Sequence, residues 1–293
     1  MTTRTGGYRI GMRAGSSPWQ QDGPRLGAWA RASGFDLVDL AQVDATRVES
    51  VRAAGVDVIS VDLVNWPALL SGDAGRRRDA VAANQARILE MAGLGVRVFF
   101  AVVIPEDLEA DLRCSFDLAI SSYGTLARTA ETCGAAVALE GWPGQAPGYA
   151  NLCCNPEQYR AILREVSSRG LKINYDPSHL IRMGIDHVRF VEEFADHVGH
   201  VHGKDCEILT DAVYEVGVYQ KSLLQAPRRY GEYAWRYTIP GHGITRWSRV
   251  LAVLQSAGYQ GAVSVELEDE NYNGSEAGEQ AGLLASLAYL PTV

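Results

Sequence analysis

The stretch Leu171-Lys172-Ile173-Asn174-Tyr175-Asp176-Pro177-Ser178-His179 decides how the chain folds. Its first half is a short run with apolar side chains. The run breaks at Asp176-Pro177, because proline fixes φ and has no amide hydrogen to give to a sheet. Residues 171–175 therefore read as a strand that ends in polar groups. An amphipathic segment follows at 186–196, and then a second apolar run at 198–202 ends in the polar cluster His202-Gly203-Lys204-Asp205. Strand, helix and strand in this order make a parallel βα unit, and polar residues at the strand ends collect on one rim.

On either side the same alternation continues. Further β-branched, apolar runs lie at 8–13, 35–40, 56–64, 96–103, 135–140 and 262–266, and helix-like stretches at 23–33, 44–54, 73–93, 115–133, 156–169, 245–257 and 275–288. Asp44 stands where an N-cap belongs, and Asn155-Pro156 puts proline in a first helical turn. Gly34, Gly55, Gly95, Gly134, Gly170 and Gly258 follow helices as C-terminal caps. Eight strands alternating with eight helices predict one α/β domain over 1–293, a (β/α)8 TIM barrel of parallel strands with continuous apolar character. An open doubly wound sheet fits less well, because Gly11-Met12-Arg13-Ala14-Gly15 lacks the spacing of a dinucleotide fingerprint. One span breaks the rhythm. Residues 206–239, after the seventh strand, far exceed the roughly two to six residues of a usual βα loop. They carry Tyr214, Tyr219, Arg228, Arg229, Tyr230, Trp235, Arg236 and Tyr237. Such a rim insertion is expected to be a lid, a binding wall or an oligomer contact.

With 35 acidic against 27 basic residues the formal charge is −8, which gives no broad electrostatic footprint for nucleic acid. No apolar run approaches the ~18 residues that cross a bilayer, and the first residues carry no apolar signal core. Five cysteines without C-x-x-C spacing argue against a disulfide framework or a structural zinc site. The reading is a soluble, cytoplasmic protein with neither membrane nor nucleic acid as partner.

Side chains at the C-terminal ends of barrel strands converge on one mouth. Glu140, Asp176, His202 and Glu266 end four consecutive predicted strands of the barrel, and three carboxylates with one imidazole at one rim repel unless a positive charge sits between them. One divalent cation meets that need. The oxygen-rich set suits Mn²⁺, with Mg²⁺, Co²⁺ and Zn²⁺ as alternatives. His200 should share the face of His202 at a deeper level, as a core or supporting histidine.

These residues carry a resemblance. Glu140, then Asp176-Pro177-Ser178-His179, then His202-Gly203-Lys204-Asp205, then Pro240-Gly241-His242-Gly243 with Trp247, then Glu266 resembles the sugar phosphate isomerase/epimerase family of the xylose isomerase-like TIM barrel superfamily. The resemblance implies that Glu140 and Glu266, besides binding metal, exchange a proton with the carbon next to a carbonyl from opposite sides of a sugar. The reaction would pass through an enediolate that the metal stabilises, in an isomerase or epimerase of carbohydrate metabolism. It implies His179 as a substrate contact or metal support. Lys204 reads as a substrate contact or as half of a rim ion pair with Asp205. Arg236 and Trp142 are further expected substrate contacts, with Trp19 as another apolar wall.

Two departures narrow the resemblance. The run Gly141 to Gly148 lacks the second substrate-binding glutamate of ketose 3-epimerases, and the extra acidic ligands of two-metal xylose isomerases are not evident. The same proton abstraction also opens lyase chemistry, either inosose dehydratase-like or C-glycoside deglycosylase-like, the latter with a small partner subunit. The aromatic and basic insertion points to a sugar derivative larger than a bare hexose, and a homo-oligomer is expected. The endonuclease IV-like branch shares the Asp-x-x-His pattern, but it uses histidines from early strands, and none precedes His179 here. A binding module without catalysis would be signalled by loss of a ligand, and all four are present.

Overall fold

The structure, a computed structural model, describes residues 1–145 and 149–293. Its strands are β1 (Arg9–Arg13), β2 (Leu37–Asp39), β3 (Ser60–Asp62), β4 (Val98–Val102), β5 (Ala136–Glu140), β6 (Leu171–Tyr175), β7 (Val198–Gly203), β8 (Asp205–Ile208), β9 (Trp235–Thr238) and β10 (Ala262–Val265). Strands β1 to β7 and β10 are the eight expected runs. They pair in parallel in the order β2-β1-β10-β7-β6-β5-β4-β3. The ends of this sheet meet through isolated parallel bridges, Leu37 with Asp57 and Leu40 with Val61. The fold is the expected (β/α)8 TIM barrel, nearly closed. Among the described residues no helix is long and apolar enough to cross a membrane.

The barrel strands are more two-faced than their apolar composition suggests. Residues two apart share a strand face, and one such set comprises Asp39, Ser60, Asp62, Glu140, Asn174, His200, His202 and Ser264, all buried. The alternate set, including Met12, Val38, Val61, Leu139, Ile173, Val201 and Val263, joins the main apolar cluster with helix residues such as Leu26, Ile88, Leu126 and Leu251. Burying each of these larger side chains stabilises the fold by about 1.5–3 kcal/mol. The apolar face holds the helices on, which leaves the other face free to be polar. That polar face lines the barrel.

The helix boundaries follow their caps. Asp44 accepts from Arg47 N, and the Asn155 side chain accepts from Gln158 N ahead of a helix that begins at Pro156. Gly34, Gly55, Gly95, Gly134 and Gly258 all adopt left-handed φ. Gly170 corrects the expectation. The helix Pro156–Glu165 ends earlier than its apolar pattern suggested, and Gly170 is not left-handed. It is small because the helix Leu112–Thr132 passes close by, and a Cβ at Gly170 would lie 2.1 Å from the Ala127 carbonyl oxygen. A further helix, Pro177–Arg182, was not visible as a helical pattern because it is short.

Inside the insertion, β8 and β9 form an antiparallel hairpin. Its base is held by Asp205, which is fully buried. Oδ1 accepts from Cys206 N, Thr245 N and Thr245 Oγ1 at 2.9, 2.9 and 2.6 Å. Oδ2 accepts from Gly241 N at 3.1 Å and from the Trp247 indole N–H at 3.3 Å. One carboxylate thus fastens the hairpin to the Pro240–Gly243 turn and to the helix that starts at Trp247.

Asp205→Ala strands these donors, and equilibrium unfolding in urea is expected to show a loss of at least ~3 kcal/mol. A loss below ~1 kcal/mol would contradict the fastening role. Gly170→Ala should cost about 2 kcal/mol because rigid backbone must move. Gly258→Ala, with φ +77° and open space around its Cβ, should cost only about 1 kcal/mol.

Candidate metal centre and active site

Glu140 closes β5, Asp176 follows β6, His202 lies in β7 and Glu266 follows β10. Each brings one ligand atom to a common point, with all four atoms within 4.8 Å of one another. Asp176 shows how local folding aims such an atom. Its Oδ1 caps the helix Pro177–Arg182 by accepting from Ser178 N at 2.8 Å and Ser178 Oγ at 2.6 Å. Its Oδ2 is left buried, without a hydrogen bond among the described residues. Both ring nitrogens of His202 are also buried without hydrogen bonds. His202 Nδ1 lies 2.7 Å from Glu140 Oε2 and 3.3 Å from Glu266 Oε2, off the hydrogen-bonding direction.

A buried oxygen and a buried ring nitrogen without hydrogen bonds among the described residues, beside further carboxylates, are what a divalent ion satisfies, so the donor set fits the expected metal. The electrostatics agree. Burial pushes the His202 pKa down, but Glu266 and Glu140 outweigh it and carry the imidazole up to about 10. Burial pushes the Glu140 carboxyl up, and His202 and His179 reverse this to hold it far below the usual range. Glu266 is held low against burial by Lys204, His202 and Arg13.

Lys204 is buried in the cluster. Its Nζ lies 2.6 Å from Glu266 Oε2, 3.0 Å from Glu268 Oε2, 3.2 Å from Asp176 Oδ2 and 4.6 Å from the Tyr237 ring centroid. The alternative of a rim ion pair with Asp205 is corrected, because the Asp205 carboxylate is taken up by the hairpin base. His179 rides on the helix that Asp176 caps, and reaches Glu140 Oε1 at 3.3 Å through Nε2. Its Nδ1 shares a 2.7 Å hydrogen bond with the Tyr237 hydroxyl. The insertion therefore feeds an aromatic ring into the cluster from its inner end. Its outer end faces solvent, with Tyr219, Leu223 and Leu224 exposed.

Two expected contacts lie apart from this cluster. Arg236 pairs with Glu207 at 2.7 Å and with Glu270 at 3.3 Å, because it takes the outward position between Trp235 and Tyr237 on β9. Trp142 is half-buried on the segment after β5, where its carbonyl accepts from Asn151 Nδ2 at 3.1 Å. In the run from Gly141 to Gly148, residues 146–148 lie outside the described residues. Trp19 is buried with its indole N–H on Glu279 Oε2 at 2.7 Å, and it borders a cleft of about 620 Å³ that also touches Arg13, Arg229, Tyr230, Glu266 and Glu268.

Sequence reasoning missed Arg13, Asp62 and Asn174. Arg13 ends β1 and forms a bidentate pair with Asp62 at the end of β3, at 2.9 and 2.8 Å. Its Nε meets Glu266 Oε1 at 3.1 Å, and its guanidinium lies 4.4 Å from the Phe100 ring centroid. Asn174 Nδ2 donates to Glu140 Oε2 at 2.6 Å. The signal that exposed the four ligands, a polar residue at a strand's C-terminal end, also marks Arg13 and Asp62.

Comparison with known proteins agrees with this fold. Over 156 residues the chain is 33% identical to the uncharacterized protein YfiH of Bacillus subtilis (strain 168), covering 52% of this chain and 47% of that protein. It is 30% identical over 114 residues to an inosose dehydratase of Geobacillus thermodenitrificans (strain NG80-2), covering 39% of this chain and 36% of that protein. The match thus spans less than half the length of these relatives. The crystal structure of the 3-keto-D-glucoside 4-epimerase YcjR from E. coli superposes with TM-score 0.69 at 17% identity, over 97% of this chain and 98% of that one. A D-psicose 3-epimerase solved with D-fructose gives 0.70 at 16% identity, over 96% and 97%. At such identities these structures establish the fold alone. The family model described as xylose isomerase-like TIM barrel matches residues 27–290, and the chain belongs to that family.

Proposed function

We propose that the chain is a divalent-metal-dependent isomerase or epimerase that moves a proton at the carbon next to the carbonyl of a sugar derivative. The reading is carried by one observation: the carboxylates of Glu140 and Glu266 converge on the same His202 nitrogen, Nδ1, in a cluster with Asp176 that fits one ion. Glu140, Asp176, His202 and Glu266 would hold the ion, with Mn²⁺ the best match to an oxygen-rich set. When bound, a divalent ion supplies Lewis acidity that polarises a carbonyl and so acidifies the neighbouring C–H.

The protein's own groups supply the rest. Both glutamates are ionised at neutral pH, so one can take the α-proton from the substrate while the other returns a proton that it has drawn from solvent water, and the first then releases its proton to solvent. Both are also weak bases, because cations hold their pKa values low, and the chemistry depends on an acidified substrate. Asn174 and His179 fix the two oxygens of Glu140. Arg13 and Lys204 fix those of Glu266. Lys204 and the His179–Tyr237 pair border the same cluster and would contact substrate hydroxyls.

A second reading, lyase chemistry on a cyclic keto-sugar or keto-glycoside, is favoured by the sequence match to inosose dehydratases. It shares the first proton abstraction and adds loss of a β-substituent. The 620 Å³ cleft beside Glu266 leaves room for a substrate larger than one sugar ring in either reading.

Metal analysis after Mn²⁺ loading should find one ion per chain. Incubation of loaded protein in D₂O with a panel of keto-sugars and 3-keto-glycosides should place deuterium on the α-carbon. Glu140→Gln and Glu266→Gln should each slow this exchange by ~10²-fold or more. Product analysis separates an epimer from an eliminated fragment, and a protein that takes up no metal would overturn the proposal.

A further inference from the structure

Beneath the metal cluster, the polar lining of the barrel continues inward. Asp39 at the end of β2 and His200 in β7 are both fully buried, and a 2.7 Å hydrogen bond joins His200 Nε2 to Asp39 Oδ2. The His200 and His202 rings meet edge to face with centroids 5.7 Å apart. One ligand-type atom from each of Asp39, His200 and His202 falls within 4.8 Å of the others. Yet Asp39 Oδ1 and His202 Nε2 are both buried without a hydrogen bond among the described residues.

These two orphans are complementary. His202 turns Nδ1 toward Glu140 and Glu266. If Nδ1 ligates the ion, the single proton of a neutral imidazole must sit on Nε2, and a buried N–H needs an acceptor. The free oxygen of Asp39 is a carboxylate acceptor in the same buried group, beyond direct hydrogen-bonding reach of His202, so that one bridging water joins them. Its other oxygen is already engaged by His200, which keeps the carboxylate from turning away.

We infer that Asp39 is a positioning residue for the metal ligand His202. Through one bridging water it accepts the hydrogen bond of Nε2–H and so fixes the tautomer and ring orientation that present Nδ1 to the ion, with His200 as its brace. The inference rests on the metal reading above, and it assigns a role to residues from the barrel interior that touch neither ion nor substrate. A carboxylate behind a ligating histidine raises its basicity, and removing such a partner weakens metal binding by ~10–100-fold.

The test uses the full chain stripped of metal and titrated with Mn²⁺ by calorimetry, as wild type and as Asp39→Asn. The expected result is one ion per chain in both, with Mn²⁺ affinity of Asp39→Asn lower by ~10–100-fold. The second measurement needs no variant at Asp39. In ¹⁵N-histidine-labelled wild type loaded with Mg²⁺ or Zn²⁺, long-range ¹H–¹⁵N spectra, assigned by His202→Gln, should show His202 protonated at Nε2. Unchanged Mn²⁺ affinity in Asp39→Asn, or a His202 that carries its proton on Nδ1, overturns the positioning role and leaves the metal site standing. Two ions per wild-type chain, one of them lost in Asp39→Asn, overturns it in favour of a ligand role for Asp39. No Mn²⁺ uptake by wild type removes the metal reading and this inference with it.

Discussion

The mouth of this barrel is organised by like-charge repulsion. Asp62, Glu140, Asp176, Glu266 and Glu268 crowd one end of the barrel, and each would disfavour its neighbours' ionisation in a site poor in water. Every conspicuous feature nearby answers that strain. Arg13 lies against Asp62 and Glu266, Lys204 against Asp176, Glu268 and the same Glu266, and His202 against two glutamates. Two fixed cations do not balance five carboxylates. The remaining deficit is what would favour the proposed divalent ion.

The surrounding architecture keeps these charges from relaxing apart. Asp176 uses one oxygen to start a helix and offers the other to the cluster. The same helix returns His179 to Glu140 and carries Arg182, whose guanidinium packs over Trp235 and Tyr237 of the hairpin. Arg182 also donates to the Gly144 carbonyl, so the hairpin, this helix and the segment after β5 are tied together beside the site. The insertion is thereby part of the wall and not an appendage. Asp205 anchors its base, and Tyr237 is its inward reach.

The barrel and the four-residue cluster at its mouth were legible because each is a one-dimensional pattern. Apolar runs with punctuation reveal strands, and a polar residue at the end of a run reveals the rim. Arg13 and Asp62 obey the same rule, but an arginine and an aspartate far apart in sequence do not announce that they pair. Asp39 was hidden for the same reason, since its partner lies on β7. The alternation Trp235-Arg236-Tyr237-Thr238 carries a strand signal, and it also explains why Arg236 faces outward while its neighbours face in. What the sequence could not show was closure: which strand ends become neighbours only once the sheet curls.

That closure has a seam. β2 and β3 meet through isolated bridges, with Val38 N–H on Asp57 O, Asp57 N–H on Asp36 O, Leu40 N–H on Ser60 O and Asp62 N–H on Ala41 O. The Arg13–Asp62 pair reaches from β1 past β2 to β3, so it spans this seam at the mouth. Arg13 is also the group that holds Glu266. Separating β3 from β2 would draw Asp62 away and free Arg13 to follow it, spoiling the cluster. By reciprocity, an ion held by Glu266 as proposed would also fix Arg13 and Asp62 and draw the seam shut, which would make occupancy of the centre and integrity of the barrel wall two readings of one equilibrium.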